Sequence, residues 1–117
     1  MVELRQYQTA NSRSPFGVWF GALDAIAATK VATALSRLEA GNVSNVDTVG
    51  EGVHELKIDF GPGYRVYFGW DGSDLVILLG GGTKKRQNSD IKKARGYWSD
   101  YKTRKREAQK KAAQKCH

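Results

Sequence analysis

The sequence predicts an α+β domain in which an N-terminal strand and a helical hairpin pack on one face of a mainly antiparallel sheet of about four strands, followed by a basic C-terminal helix. Three observations lead there. Apolar residues recur every three or four positions from Phe16 to Leu38 and every second position from Leu56 to Trp70, and a last apolar stripe runs from Ile91 to Tyr101 among lysines and arginines. The chain has 117 residues, 40% of them hydrophobic, enough for one core without disulfides or metal, so a single domain over residues 1–117 is expected.

Leu4 and Gln6 alternate with Arg5 and Tyr7 in a short opening strand, and residues 11–14 form a polar turn. Ser14 before Pro15 is a helix start. Phe16, Trp19, Phe20, Leu23 and Ile26 then share one helical face, and Val31, Leu35 and Leu38 repeat the pattern up to Gly41, a helix terminator. The aromatic content of this face is read as core packing.

Leu56, Ile58 and Phe60 alternate with Glu55, Lys57 and Asp59, the pattern of a half-buried strand. Gly61, Pro62 and Gly63 form a three-residue turn, and Tyr64, Val66, Phe68 and Trp70 alternate with Arg65 and Tyr67 on the return. Asp71 and Gly72 mark a second turn. The unbroken run Leu75 to Leu79 suits a strand covered on both faces, ended by Gly80, Gly81 and Gly82. Asn88 or Ser89 caps the last helix, whose apolar face is Ile91, Ala94, Trp98 and Tyr101. Beyond it, residues 102–117 offer little to bury, so a basic tail of intermittent helix is expected.

A three-residue turn pairs Phe60 with Tyr64, which sets Asp59 opposite Arg65 and Lys57 opposite Tyr67. Glu55, Lys57, Asp59, Arg65 and Tyr67 then share the face opposite the core, open to a partner if the helices cover the other. Taken alone, Asp59 and Arg65 read as an ordinary cross-strand ion pair. Lys84, Lys85 and Arg86 follow the glycine run and reach towards the same face. The glycines let the backbone approach a bulky ligand or simply end the strand.

Charge is split along the chain. Residues 1–83 carry 6 Lys/Arg against 9 Asp/Glu, whereas residues 84–117 carry 13 against 3, Lys92, Lys93 and Arg95 among them. Such a block attracts phosphate polymers or an acidic protein, and a solvated terminal helix has the same composition. With Cys116 the one cysteine, and His54 and His117 the two histidines, there is no metal-ligand spacing and no nucleophilic triad, so neither metal nor other cofactor is expected. His54 reads as a half-exposed strand residue. No window is apolar enough for a bilayer span and the opening residues carry no export signal, which makes a reducing cytoplasm the expected compartment and a membrane partner unexpected.

Residues 52–57 (GVHELK), 61–68 (GPGYRVYF), 75–82 (LVILLGGG), 84–87 and the helix 90–101 ending in YWSDY resemble the HigB-like, phage-associated killer proteins of the RelE/ParE toxin superfamily. The resemblance runs from Leu4 to about Lys105 and is most specific at GPGYRVYF. It implies a RelE-like fold and the toxin of a type II toxin-antitoxin pair, neutralised by a cognate antitoxin that is commonly a small helix-turn-helix protein. In ribosome-dependent members the arginine of the Tyr-Arg pair contacts the scissile phosphate of messenger RNA, which places Arg65 there. Lys57 matches a basic residue on the preceding strand, and Lys84, Lys85 or Arg86 match basic residues after the last strand. Thr83 stands where relatives often have Asp, and a histidine found in that region of some nucleases is missing.

Cleavage by an adjacent 2′-hydroxyl needs a proton acceptor, a cation at the phosphate and a proton donor for the leaving oxygen. Arg65 suits the cation role, Glu55 or Lys57 the acceptor, and Lys84 or Lys85 the donor. Tyr67, Arg86, Lys92, Lys93 and Arg95 are the expected RNA-binding residues. The resemblance also leaves two other activities open: a ParE-like poison that binds DNA gyrase without a nuclease site, and a non-toxic nucleic-acid binding module built on the basic C-terminal segment.

Overall fold

The computed structural model describes residues 1–115, and Cys116 and His117 lie outside the described residues. The elements are β1 (Glu3–Gln6), α1 (Pro15–Gly21), α2 (Ala25–Glu39), β2 (Val46–Thr48), β3 (Val53–Ile58), β4 (Tyr64–Asp71), β5 (Leu75–Thr83) and α3 (Gln87–Lys115), with a single 3-10 turn, Lys84–Arg86, leading into α3. The sheet is mixed, in the order β1-β5-β4-β3-β2. β1 runs parallel to β5 and the remaining pairs are antiparallel. This is the expected α+β class with one more strand, because the three-residue edge strand β2 is too short to show an alternation.

The helical hairpin forms where the sequence places it. Ser14 Oγ accepts from Gly17 N at 2.9 Å, and Pro15 opens α1. The single apolar stripe is interrupted, however. Asp24 is the N-cap of a second helix, its Oδ1 accepting from Ala27 N at 2.9 Å. The break turns Ile26 out of the stripe, and it is 66% exposed.

Helices cover both faces of the sheet, not one. α1 and α2 pack Phe16, Val31, Leu35 and Leu38 against Leu56, Ile58, Val66, Phe68, Val76 and Leu78. On the opposite face α3 lays Ala94 and Trp98 over Tyr67, Val53, Ile77 and Leu79. Apolar area is therefore removed from water on both sides of β5, as its unbroken apolar run requires. Trp98 fits because Gly69 lies beneath it; a Cβ there would stand 2.6 Å from the indole.

The central hairpin differs from expectation by two residues. Ile58 pairs with Tyr64, Lys57 with Arg65 and Glu55 with Tyr67, so the loop has five residues and Asp59 and Phe60 belong to it. Gly61 and Gly63 take positive φ in this loop. A shift of two preserves side-chain parity, so Glu55, Lys57, Arg65 and Tyr67 do share a face.

β5 also continues through its glycines to Thr83, with a bulge where Tyr67 pairs with Gly80 and Phe68 with Leu78. The room left by the glycines is filled by the protein itself, since Cβ atoms at Gly81 and Gly82 would overlap Trp19 and the Asp90 carboxylate. α3 begins at Gln87, straight out of the 3-10 turn, not at an Asn88 or Ser89 cap. It is continuous to Lys115, where intermittent helix was expected: Lys, Arg, Gln, Glu and Ala are strong helix formers, and no Gly or Pro follows Gly96. Asp71 accepts from Tyr101 Oη and Lys105 Nζ, and Asp100 accepts from Tyr7 Oη at 2.7 Å and pairs with Arg104 at 2.8 Å. These contacts hold the middle of α3 to β4 and to the segment after β1. Among the described residues no helix is long and apolar enough to cross a membrane.

Candidate functional site

The face that carries the expected site is partly sealed by α3. Glu55 is 3% exposed and Arg65 9%. One oxygen of Glu55 accepts from Gln87 Nε2 at 2.7 Å, and the other stands 3.8 Å from Arg65 Nε. Arg65 Nη1 donates to the Tyr64 carbonyl at 3.1 Å, while its Nε has no hydrogen-bond partner among the described residues. A guanidinium held by a carboxylate, with donors left over near the start of the central strand, is suited to take an oxyanion.

The hairpin loop brings a second cation to it. Lys84 N donates to the Gly63 carbonyl at 2.8 Å, which ties the start of the 3-10 turn to the end of the loop. A Cβ on Gly63 would lie 3.6 Å from Arg65 Nη1 and 3.9 Å from Lys84 Cδ. Arg65 and Lys84 therefore flank the same small patch of bare backbone. Lys84, Lys85 and Arg86 are all exposed on this turn.

Other expected residues are engaged differently. Lys57 lies opposite Arg65, but its amine is bound to Asp47 of the edge strand at 2.5 Å. Tyr67 is fully buried beneath α3 and cannot present its ring to RNA. Burial beside Glu55 and Asp90 pushes its hydroxyl pKa well above the usual tyrosine range. Arg95 donates from Nε to the Val49 carbonyl at 3.1 Å and faces Glu51 at 3.4 Å, so it staples the β2–β3 turn to α3. Lys92 lies on that side of α3, in a shallow depression with Glu51, Asn88 and Arg95. Lys93 lies on the other side, with Asp90 and Tyr97. The three basic residues of this stretch thus do not form one surface.

Gln87 and Asp90 are the site residues that sequence reasoning missed. Gln87 orients Glu55, and Asp90 lies against Gly82 with its Oδ2 buried and unpaired among the described residues. Burial raises the Asp90 pKa, which Lys93 and Arg86 partly oppose. The glycine run carried a signal for Asp90, because a strand residue without a Cβ implies a close neighbour.

His54 stacks on Phe68 at 5.5 Å, half-buried on the face under α1 and α2, and burial lowers its pKa. Packing accounts for it, in agreement with its reading as a strand residue.

Comparison with known proteins gives two matches. The family model described as phage derived protein Gp49-like matches residues 18–112, from within α1 to within the last turns of α3, and takes in the Glu55, Arg65 and Lys84 group. An uncharacterized protein of Haemophilus influenzae is 42% identical over 81 residues, 68% of this chain and 82% of the relative. From α1 to the far half of α3, the chain belongs to the family of phage-derived Gp49-like proteins.

Proposed function

We propose that the chain is the toxin of a type II toxin-antitoxin pair and cuts messenger RNA on the ribosome. The observation that carries this reading is the convergence of the Arg65 guanidinium and the stem of Lys84 at Gly63, from which both charges can reach one phosphate oxygen past a backbone with no side chain. Phage-derived family membership and the GPGYRVYF hairpin support it.

In the reaction, a ribose 2′-oxygen loses its proton and bonds to the adjacent phosphorus. The bond to the 5′-oxygen breaks, and that oxygen takes up a proton. The products are a 2′,3′-cyclic phosphate and a 5′-hydroxyl. Arg65 stabilises charge on the phosphoryl oxygens, and Lys84, which of the two candidate lysines is the one beside Gly63, supplies the proton to the leaving oxygen. Glu55, with one oxygen on Gln87 and the other towards Arg65, acts by positioning the guanidinium. Lys57 is the remaining acceptor on this face, once substrate draws it from Asp47 and its ammonium has given up a proton to water. The partners in this reading are the ribosome, messenger RNA and a small helix-turn-helix antitoxin.

The burial of Glu55 and Arg65 favours a second reading, in which the surface only binds, as a gyrase poison would. Translating ribosomes with a defined messenger separate the two. New 5′-hydroxyl ends that depend on translation support the nuclease, whereas intact messenger together with cleaved DNA held on purified gyrase supports the poison.

A further inference from the structure

The far half of α3 takes no part in the proposed reaction and little in the core. Lys105 makes the final ion pair with the sheet, through Asp71, and residues 106–113 are all exposed. A helix of 29 residues is about 43 Å long, more than the 28 and 26 Å that the molecule measures across, so its end projects. Residues 102–115 hold seven Lys/Arg against one acidic residue, Glu107. Composition alone fits a solvated helix, but two observations point to a ligand.

Three of the cations are aligned and unused. Arg104 and Lys105 are paired with Asp100 and Asp71, whereas Lys102, Arg106 and Lys110 are exposed and have no acidic partner among the described residues. Each stands four residues after the last, so they form one line with about 6 Å between charges along the axis. Like charges at this spacing repel, and a polyanion removes the cost. The line also starts in an aromatic groove. Trp70, Trp98 and Tyr101, with Lys102, Lys105 and Arg106, line an open groove of about 320 Å³ between the end of β4 and α3. Trp98 stacks on Tyr101 at 5.2 Å, and Lys102 Nζ lies 5.8 Å from the Trp98 ring. Trp70 and Tyr101 are half-buried and leave ring surface to the groove. An acidic protein answers only the charges, whereas each nucleotide of a single strand brings a phosphate and a base with a π face.

We propose that the groove and the stripe form a second RNA-binding surface, which holds a single-stranded segment of ribosomal RNA. One base lies against the Trp70 and Tyr101 rings, and successive phosphates meet Lys102, Arg106 and Lys110. The inference rests on the reading of the ribosome as partner and adds where the chain grips it. Gln87, bound to Glu55, opens α3, and Lys102 lies about 22 Å further along the axis. The stripe runs on from there, away from Arg65, and holds the ribosome while the messenger occupies the Arg65 site.

The test is co-sedimentation of the full chain with vacant ribosomes, free of messenger, over a series of salt concentrations. Wild type is expected to bind, with an affinity that falls steeply as salt rises. The triple variant Lys102→Gln, Arg106→Gln, Lys110→Gln replaces exposed cations by a good helix former and leaves the fold in place. It should lower the slope of log affinity against log salt by about 2, at about 0.7 for each phosphate contact of a single strand. Stacking is read on the wild-type chain through quenching of its tryptophan fluorescence. Oligouridylate should bind at least about tenfold more tightly than an abasic strand of equal length, and more tightly than polyglutamate of equal charge.

An unchanged salt slope in the triple variant, ribosome binding that requires messenger, or equal binding of the abasic strand would each overturn the proposal. Polyglutamate bound as tightly as RNA would overturn it too, in favour of an acidic protein partner. Failure of the nuclease reading is distinguishable. Ribosome binding that the triple variant weakens, without messenger cleavage, leaves the surface standing and removes the reaction, whereas cleavage with an unchanged salt slope removes the surface alone.

Discussion

Replacing Arg65 by alanine should damage the fold as well as the proposed chemistry, and the two effects can be separated. The side chains of Arg65 and Glu55 are 11% and 4% exposed, with Nε and Oε1 3.8 Å apart. At an effective dielectric of about 20 their attraction is about 4 kcal/mol before the cost of dehydrating both groups. Removing only the arginine leaves the carboxylate buried with Gln87 as its remaining hydrogen-bond partner, a loss of about 3 kcal/mol. Unfolding entropy scales with length, so for 117 residues each kcal/mol moves Tm by about 4 °C, and Arg65→Ala should melt roughly 12 °C below wild type. Glu55→Gln in the same chain removes the stranded charge and keeps a partner for Gln87, so the double variant should recover more than half of that loss. Thermal unfolding by circular dichroism at neutral pH reads both. An Arg65→Ala chain that melts within about 3 °C of wild type, or a double variant no more stable than the single one, would refute the buried pair.

Other perturbations probe the packing of α3 and the buried polar groups beneath it. Gly69→Ala pushes a methyl group into the Trp98 indole and should cost about 2 kcal/mol, whereas Gly96→Ala, in open space on the same helix, should gain about 1 kcal/mol; denaturant titration of both checks that α3 lies on the sheet. Tyr67→Phe removes a buried hydroxyl without a partner and should raise stability by about 1 kcal/mol in the same assay. Burial holds the Asp90 pKa above its ordinary 3.8, so its contribution to stability is lost as pH rises through the folded pKa. Asp90→Asn should therefore be more stable than wild type at pH 7, with the difference vanishing below pH 3.8, as urea titrations at the two ends of the range would show.

Much of this arrangement was legible locally. The alternation of Glu55 to Ile58 and Tyr64 to Phe68 defined both faces, and the face assignment survived a wrong loop length because the error was even. The break between α1 and α2 was harder: Asp24 is a capping residue, but the apolar spacing continues across it, and periodicity alone cannot reveal a change of axis. The open face was an error that the sequence itself argued against. Leu75 to Leu79 needs cover on both sides, and the stripe Ile91, Ala94, Trp98 and Tyr101 needs a surface to bury it; together they place α3 where the structure has it. Gln87 gave no such sign, and the glycine run pointed to a close neighbour of β5 without naming Asp90. Their roles come from contacts with Glu55 and Gly82, fixed only once α3 docks.

The most direct test of the central claim uses Lys84, which is exposed and whose loss should leave the fold intact. Wild type and Lys84→Ala are induced under tight control at equal protein level, and transcript 5′ ends are mapped across coding regions. The account predicts new ends in the reading frame with wild type and about 100-fold fewer with Lys84→Ala, the effect of removing a proton donor. Equal cleavage by the two chains, or growth arrest by wild type with no new ends, would contradict it.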